Sequence, residues 1–338
     1  MLLIVLALAA TLLVPLYFGG AAALRATLHL SAGGYSALCA LIFASWVART
    51  LKLQLLLRRM GVEVGFVHMF EISLATDFGF LATPAGLGGY AASVYYTRRA
   101  GASMSAAAAL TAADQTLDLV FFGLAVPVAG FAFFGSALPP KLVGAALTTC
   151  AALAALGLGL WLLQGEARPA AWQKLAVRWP RLQRAFDEFR TQAGTQARLL
   201  FGDGPMFLGG TFALTIVQWL TRYGILWLVL ELLGCPVSFW LLLALQALVL
   251  HLAQWSGVPA GGGGAELGLT ASLAGWVPAA TLATALLLWR MITLYLALGV
   301  GAIAIARLAR RSAPLASAPS PPAVAVQGPP RTDASPQD

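Results

Sequence analysis

The stretches Pro84-Ala-Gly-Leu-Gly-Gly89 and Pro259-Ala-Gly-Gly-Gly-Gly264 each interrupt a long apolar run, at 65–97 and at 238–277. Proline removes a backbone donor from a helix and glycine weakens helices, so each run is expected to divide into two short helices. The two breaks share the pattern Pro-Ala-Gly-x-Gly-Gly. We therefore expect them to occupy equivalent positions in two halves of the chain.

The rest of the sequence is too apolar for a soluble domain. Of 338 residues, 59% are apolar and 10% are charged, whereas a soluble domain has about 25% charged residues. A membrane span needs roughly 20 apolar residues. The uninterrupted apolar runs are 2–19, 33–57, 104–134, 141–164, 206–231 and 278–306. We predict an all-α integral membrane protein with about eight hydrophobic segments: about six full spans and two broken segments, each a re-entrant hairpin or a pair of short spans.

Basic residues predict the orientation of the spans, because loops rich in Lys and Arg stay on the cytoplasmic side. Run 2–19 is interpreted as the first span rather than a cleaved signal peptide, because no Lys or Arg precedes it. Arg25 and Lys141 are assigned to the outer side. The residues assigned to the cytoplasmic side are Arg49, Lys52, Arg58, Arg59, Arg98, Arg99, Arg307, Arg310, Arg311 and the basic residues of loop 165–205. This predicts an inner-membrane protein with both termini in the cytoplasm.

Counting the spans divides the chain into two halves of inverted topology, 1–134 and 135–311, whose broken segments enter from opposite faces. Inverted repeats with broken helices are typical of transporters, in which the site lies near the midplane between the repeats. Within the second half, loop 165–205 is interpreted as an amphipathic helix on the cytoplasmic membrane surface or, alternatively, a solvated linker. Residues 312–338 are predicted to form a disordered cytoplasmic tail.

Ionisable residues inside the apolar runs are the functional candidates, because each costs at least about 2.5 kcal/mol at membrane depth. They either pair for structural reasons or line a polar cavity between the halves. Arg222 and Arg290 suit an anionic group, since guanidinium matches phosphate. Glu266 and Asp118 are expected to pair with these arginines when the site is empty. The predicted substrate-binding residues are Asp114, Asp118, Arg222, Glu266, Arg290, Pro84, Gly86, Gly88, Pro259, Gly261 and Gly263.

The sequence predicts neither an enzyme nor a cofactor or metal site. The glycines at 261–264 are not followed by the Lys-Ser/Thr of a phosphate-binding P-loop, and HExxH and GxSxG are missing. Asp77 and Asp118 form a conceivable carboxylate dyad, but no fixed spacing supports it. The net charge of +8 is explained by cytoplasmic loops rather than by nucleic-acid binding.

Two segments resemble the lysylphosphatidylglycerol synthase transmembrane-region, or flippase-like, family. They are Pro259-Ala-Gly-Gly-Gly-Gly-Ala-Glu266, similar to the family's Pro-Gly-Gly-Leu-Gly-x-x-Glu, and Trp289-Arg-Met-Ile-Thr293 in the final span. The break at 84–88 is similar to the family's earlier break, and Asp118 matches its Asp in the next span. The chain departs from the family at Gly89, where Glu is usual, and near Ala92-Ser93, where Arg is expected.

The resemblance implies translocation of a lipid between leaflets, by a membrane region without an attached synthetase domain. We therefore expect a lipid translocase for an anionic headgroup, with membrane lipid as its partner and a lipid-synthesis enzyme as a possible second partner. Two alternatives remain open. One is a proton-coupled transporter of a small solute, in which Asp114 and Asp118 carry protons. The other is a non-transporting scaffold for a lipid-synthesis enzyme.

Overall fold

A computed structural model describes residues 2–134 and 204–311, and every regular element in these two ranges is helical. The first range forms α1 (Leu2–Leu28), α2 (Ala32–Arg59), α3 (Phe66–Ala82), α4 (Leu87–Arg99) and α5 (Met104–Phe134). The second forms α6 (Pro205–Leu232), α7 (Phe239–Trp255), α8 (Gly264–Leu273), α9 (Ala279–Arg290) and α10 (Ala297–Arg311). A π-helical segment, Met291–Leu296, joins α9 to α10 without interruption.

The described residues contain five helical segments that are long and apolar enough to cross a membrane, so the chain is a multi-pass, all-α membrane protein. These segments are Leu6–Leu28, Ala32–Arg59, Met104–Phe133, Met206–Leu232 and Ala279–Arg311. They coincide with five of the six predicted full spans. The predicted span 141–164, the amphipathic loop 165–205 apart from its last two residues, and the tail 312–338 lie outside the described ranges.

Both predicted breaks are confirmed, because a short 3₁₀ turn divides each broken segment into two helices. Pro84–Gly86 separates α3 from α4, and Pro259–Gly261 separates α7 from α8. Proline stands at the first position of each turn, where its missing N–H costs no helical hydrogen bond. The longer arm of each hairpin, α3 or α7, has 17 residues, or about 25 Å of helix. That is shorter than the roughly 30 Å hydrocarbon core.

Three basic residues were wrongly assigned to loops. Arg49 and Lys52 lie inside α2 and are buried, with 5% and 0% of their surface exposed. Arg25 lies in the last turn of α1. Both residues stand inside the predicted run 33–57, and the loop assignment failed because they were grouped with the basic residues at the end of that run. Only Arg58 and Arg59 of that group occupy the last turn.

Helices α2 and α6 cross each other antiparallel along their whole lengths and form the centre of the bundle. The first turn of α2 contacts the end of α6, where Gly34 approaches Leu232. Midway, the Ser45 hydroxyl donates to the Gln218 carbonyl oxygen at 2.9 Å. At the other end, Arg59 lies over the ring of Phe207.

The two hairpins enter the bundle from opposite ends. At one end, Glu71 near the start of α3 pairs with Arg311 at the end of α10, at 2.9 Å. Helix α5 begins at this same end and has 31 residues, so its far end is about 46 Å away. Toward that far end, Val126 of α5 belongs to the same hydrophobic cluster as Leu243 of α7, the first arm of the second hairpin. The tips of the two hairpins therefore meet inside the bundle, where the two 3₁₀ turns are in contact.

Candidate functional site

The two hairpin tips have the same backbone conformation. Ala85 has φ 51° and ψ 17°, and Ala260 has φ 53° and ψ 14°, so both alanines are left-handed. Each is followed by a left-handed glycine, Gly86 at φ 71° or Gly261 at φ 61°. A residue with a Cβ costs roughly 1–2 kcal/mol in this conformation. Such strain persists where the surrounding structure enforces it and is concentrated at functional sites.

Glycine at the tips is required by close packing as well as by conformation. A Cβ on Gly86 would lie 2.7 Å from the side-chain nitrogen of Gln254, which belongs to the other hairpin. A Cβ on Gly89 would lie 2.3 Å from Cγ of Phe80. The ring of Phe80 thus fills the space beside position 89, so a larger side chain there would require Phe80 to move.

Beside the first tip, charged side chains link four helices. Asp77 of α3 pairs with Arg49 of α2 through one oxygen, and its other oxygen accepts from Nη1 of Arg222 on α6 at 3.0 Å. Arg49 also reaches α5, where its Nη2 donates to Oδ2 of Asp114 at 3.0 Å. Arg49 and Asp114 are 5% and 3% exposed.

The same chain of contacts continues along α5 and returns to α6. Nζ of Lys52 lies 2.7 Å from Oδ1 of Asp114 and 2.9 Å from Oδ1 of Asp118. The indole N–H of Trp219 on α6 donates to the same oxygen of Asp118 at 2.9 Å. Because Asp114 and Asp118 are four residues apart, they share a face of α5, and one ammonium group contacts both.

We call these six groups the charge network. Its members are Arg49, Lys52, Asp77, Asp114, Asp118 and Arg222. Three cations balance three carboxylates, so the network carries no net charge. Each of its six members lies well inside a long helix or in the hairpin, so charge is held near the middle of the bundle. Buried charges are tolerated at such depth when they are paired.

Beside the second tip, Glu266 and Arg290 form a single buried ion pair. Nε of Arg290 donates to Oε1 of Glu266, and the two residues are 3% and 0% exposed. Glu266 lies in the first turn of α8, where the helix dipole favours a negative charge. Among the described residues, Oε2 of Glu266 and Nη2 of Arg290 have no hydrogen-bond partner. The π-helical segment begins directly after Arg290, and such segments occur frequently at functional sites.

The structure places the predicted site residues at both tips. Asp114, Asp118 and Arg222 belong to the charge network, and the expected pairing of Glu266 with Arg290 is confirmed. The expected pairing of Asp118 with an arginine is wrong, since Asp118 contacts Lys52 and Trp219. The predicted glycines and prolines lie in the two turns or directly after them: Pro84, Gly86, Gly88, Pro259, Gly261 and Gly263.

Four contributors were missed or not selected: Arg49, Lys52, Asp77 and Trp219. A usable signal existed for Arg49 and Lys52. They stand three residues apart inside an apolar run, so they share one face of a helix, as Asp114 and Asp118 do. His251, treated as a weak candidate, packs its ring on Phe122 with 4.5 Å between ring centroids, and its Nδ1 lies 2.6 Å from the Ala247 carbonyl oxygen.

Comparison with known proteins identifies similar membrane proteins. A family model described as the lysylphosphatidylglycerol synthase TM region matches residues 2–301. A UPF0104 membrane protein of Archaeoglobus fulgidus is 24% identical over 274 residues, which covers 77% of this chain and 82% of the relative. The family match spans both hairpins, the charge network and the Glu266–Arg290 pair.

Proposed function

Because this chain belongs to the lysylphosphatidylglycerol synthase transmembrane-region family, we propose that it translocates a lipid with an anionic headgroup between the membrane leaflets. The main support is the meeting of two strained hairpin tips beside buried ion pairs. Non-helical backbone at membrane depth is tolerated only where protein or a wet cavity covers it. A site of that kind, at the centre of a bundle, suits the passage of a polar headgroup.

The packing supports the interpretation that the two halves are inverted repeats. Helix α3 of the first hairpin packs on α10, and α7 of the second hairpin packs on α5. If the two halves are exchanged, α3 takes the place of α7 and α10 takes the place of α5, so one of these contacts becomes the other. The same exchange leaves the α2–α6 contact and the contact between the tips unchanged. Repeats of this kind place a substrate at their interface.

The Glu266–Arg290 pair is the proposed contact for the headgroup. Arg290 retains an unpartnered Nη2 among the described residues, and guanidinium binds phosphate in a bidentate geometry. The N-terminus of α8 lies beside Glu266 and adds backbone N–H groups that favour an anion. A phosphate that reaches this position exchanges the contact with Glu266 for one with the lipid. No covalent step is required, so we propose a transport function without catalysis.

An apolar groove favours a lipid over a small solute. It has a volume of about 410 Å³ and lies between α2, α6 and α7; its lining residues are Leu41, Leu220, Thr221, Gly224, Trp227 and Phe239. That volume is typical of ligand pockets of about 300–1,000 Å³. Arg222 lies about 160° around α6 from Leu220 and Gly224. Acyl chains would therefore stay on the outer face of α6 while the headgroup is handled on its inner face.

Basic residues support an orientation with the Arg311 end in the cytoplasm. The last turns of α2, α4 and α10 contain Arg59, Arg99 and Arg311. Helix α1 begins on the side nearer this end, because Leu8 contacts Tyr295 in the middle of the last span and the later residue Gly19 lies against Ala283 near the start of that span. We therefore propose that the protein lies in the inner membrane with both termini in the cytoplasm.

The experiment is a leaflet-exchange assay on purified protein in liposomes containing a fluorescent phosphatidylglycerol analogue. We expect the wild type to move the lipid and Arg290→Ala and Glu266→Ala to abolish movement. Arg310→Ala is the matched control, because it removes an exposed arginine from the same helical segment and should retain wild-type rates. Size-exclusion profiles verify that each variant is folded.

Two results would overturn the proposal. Full activity in both variants would exclude the Glu266–Arg290 pair as the headgroup contact. Failure of the wild type to move any anionic phospholipid would favour the scaffold alternative, in which the self-neutralised charge network is purely structural. Co-purification with a lipid-synthesis enzyme then distinguishes the scaffold from a transporter of a small solute.

A further inference from the structure

The three carboxylates of the charge network are not equally compensated. Asp77 is held by two arginines, Arg49 and Arg222. Asp114 is held by Arg49 and Lys52. Within ranges 2–134 and 204–311, Asp118 has one cationic partner, Lys52, and shares it with Asp114. Its other contact is the uncharged indole N–H of Trp219.

Neutralising Asp118 therefore disturbs the network least. Lys52 would keep its 2.7 Å contact with Asp114, and Arg49 and Arg222 would keep all of theirs. Neutralising Asp77 would instead weaken the contacts of two arginines, Arg49 and Arg222, at once. Asp118 is also the most accessible of the three side chains, with 13% exposure against 5% for Asp77 and Asp114.

Ionisable side chains from every neighbouring helix lie around Asp118. Arg49 and Lys52 face it from α2, and Asp114 stands one turn away on α5. Tyr90 on α4, Tyr223 on α6 and His251 on α7 are the other titratable groups close enough to interact with it electrostatically. Lys52 is the only cation of this set in direct contact with the carboxylate.

We propose that Asp118 binds a proton and that this proton is coupled to the lipid movement proposed above, on which the inference rests. A proton added to one oxygen of Asp118 changes the network from three cations and three anions to three cations and two anions. The resulting single positive charge matches the single negative charge of a phosphodiester headgroup. Proton and lipid therefore bind together without leaving net charge in the low-dielectric interior, where an unpaired charge is costly.

The test uses the liposome assay with an imposed pH gradient and a trapped pH-sensitive dye. For one proton per lipid, a gradient of one pH unit supports up to about a tenfold ratio of labelled phosphatidylglycerol between the leaflets. We expect the wild type to reach an asymmetric distribution and to move protons with the lipid. Asp118→Asn, which resembles the protonated carboxyl and keeps an acceptor for Trp219, should abolish both the asymmetry and the proton flux. Glu231→Gln, which alters an exposed carboxylate on α6, is the matched control and should behave as the wild type.

The outcomes separate this inference from the proposed function. Wild-type lipid movement that ignores the gradient, or a gradient response retained by Asp118→Asn, would refute proton coupling and leave translocation standing. A second measurement does not depend on transport: infrared spectra of the protein in lipid, recorded across pH. A protonated carboxyl band that appears in the wild type and is missing in Asp118→Asn supports the proton site. The same band in both proteins overturns it, even where no lipid moves.

Discussion

The two hairpin tips have the same backbone conformation and differ in the charged residues near them. Both turns are Pro-Ala-Gly with a left-handed alanine and a left-handed glycine. Among the described residues, six charged groups form the network that joins the first hairpin at Asp77, whereas one ion pair accompanies the second tip. The turn chemistry is local and identical, while the charges come from helices that each tip happens to contact. The comparison teaches that the fold repeats the same backbone turn in both halves, whereas the charged groups near each turn differ.

This difference predicts that the two sites do not tolerate the loss of a charged residue equally. In the network, Arg49 and Lys52 each contact two carboxylates, so the loss of either cation leaves two partners without full compensation. The second site has one cation and one anion. Losing either member leaves a single uncompensated group there. The following variants test this contrast, from the largest expected effect to the smallest.

Arg49→Ala should cause the largest loss of stability. Removing one partner of a buried ion pair costs about 3–5 kcal/mol, and Arg49 compensates both Asp77 and Asp114. We expect the free energy of unfolding in detergent micelles to fall by about that amount, measured by denaturant titration. Arg99→Ala is the control, because that side chain is exposed and contacts Tyr95. Equal stability of the two variants would show that the network contributes nothing to folding.

Arg290→Met should cost less than Arg49→Ala, because it leaves only Glu266 uncompensated. Adding Glu266→Leu should recover most of the loss, since replacing both members of a buried ion pair by apolar residues is often neutral or stabilising. The same titration measures both variants. Transport by the double variant should remain abolished despite restored stability. Recovered transport would contradict the proposed headgroup contact.

Gly79→Ala and Gly268→Ala compare the packing between the two arms of each hairpin. A Cβ on Gly79 would lie 2.6 Å from the backbone oxygen of Gly88, whereas one on Gly268 would meet the side-chain methyl of Val249 at the same distance. Backbone yields less readily than a side chain, so Gly79→Ala should cost about 1–3 kcal/mol and Gly268→Ala less. Gly209→Ala is the control, since nothing lies within 4 Å. A larger loss for Gly268→Ala would reverse the ranking.

Ala85→Gly and Ala260→Gly should have the smallest effects. Both relieve a left-handed residue that carries a Cβ, which we expect to raise the free energy of unfolding by up to about 1 kcal/mol. The higher conformational entropy of glycine in the unfolded chain offsets part of this gain. Because the two alanines have nearly the same φ and ψ, the two variants should agree closely. Opposite signs in the same titration would show that the two tips are not equivalent.

Local patterns in the sequence predicted the helices and the breaks. Runs 104–134 and 206–231 became α5 and α6 within one residue at each end, because apolar length and composition suffice to define a span. The two Pro-Ala-Gly turns were also predicted, since proline and glycine act on the backbone where they stand. The pairing of Glu266 with Arg290 could be predicted because few charges lie inside the apolar runs of the second half.

The tertiary structure alone decided which charges belong to the first site. Arg49 and Lys52 lie near a cluster of basic residues and were assigned to a loop, yet α2 buries both. Their partners Asp114 and Asp118 stand more than 60 residues away in the chain, and Trp219 stands 101 residues from Asp118. Hydrophobicity and turn chemistry are properties of adjacent residues, so the sequence determined the helices and their breaks. Ion pairing depends on distances between remote residues, and only the packing of α2, α3, α5 and α6 set those distances.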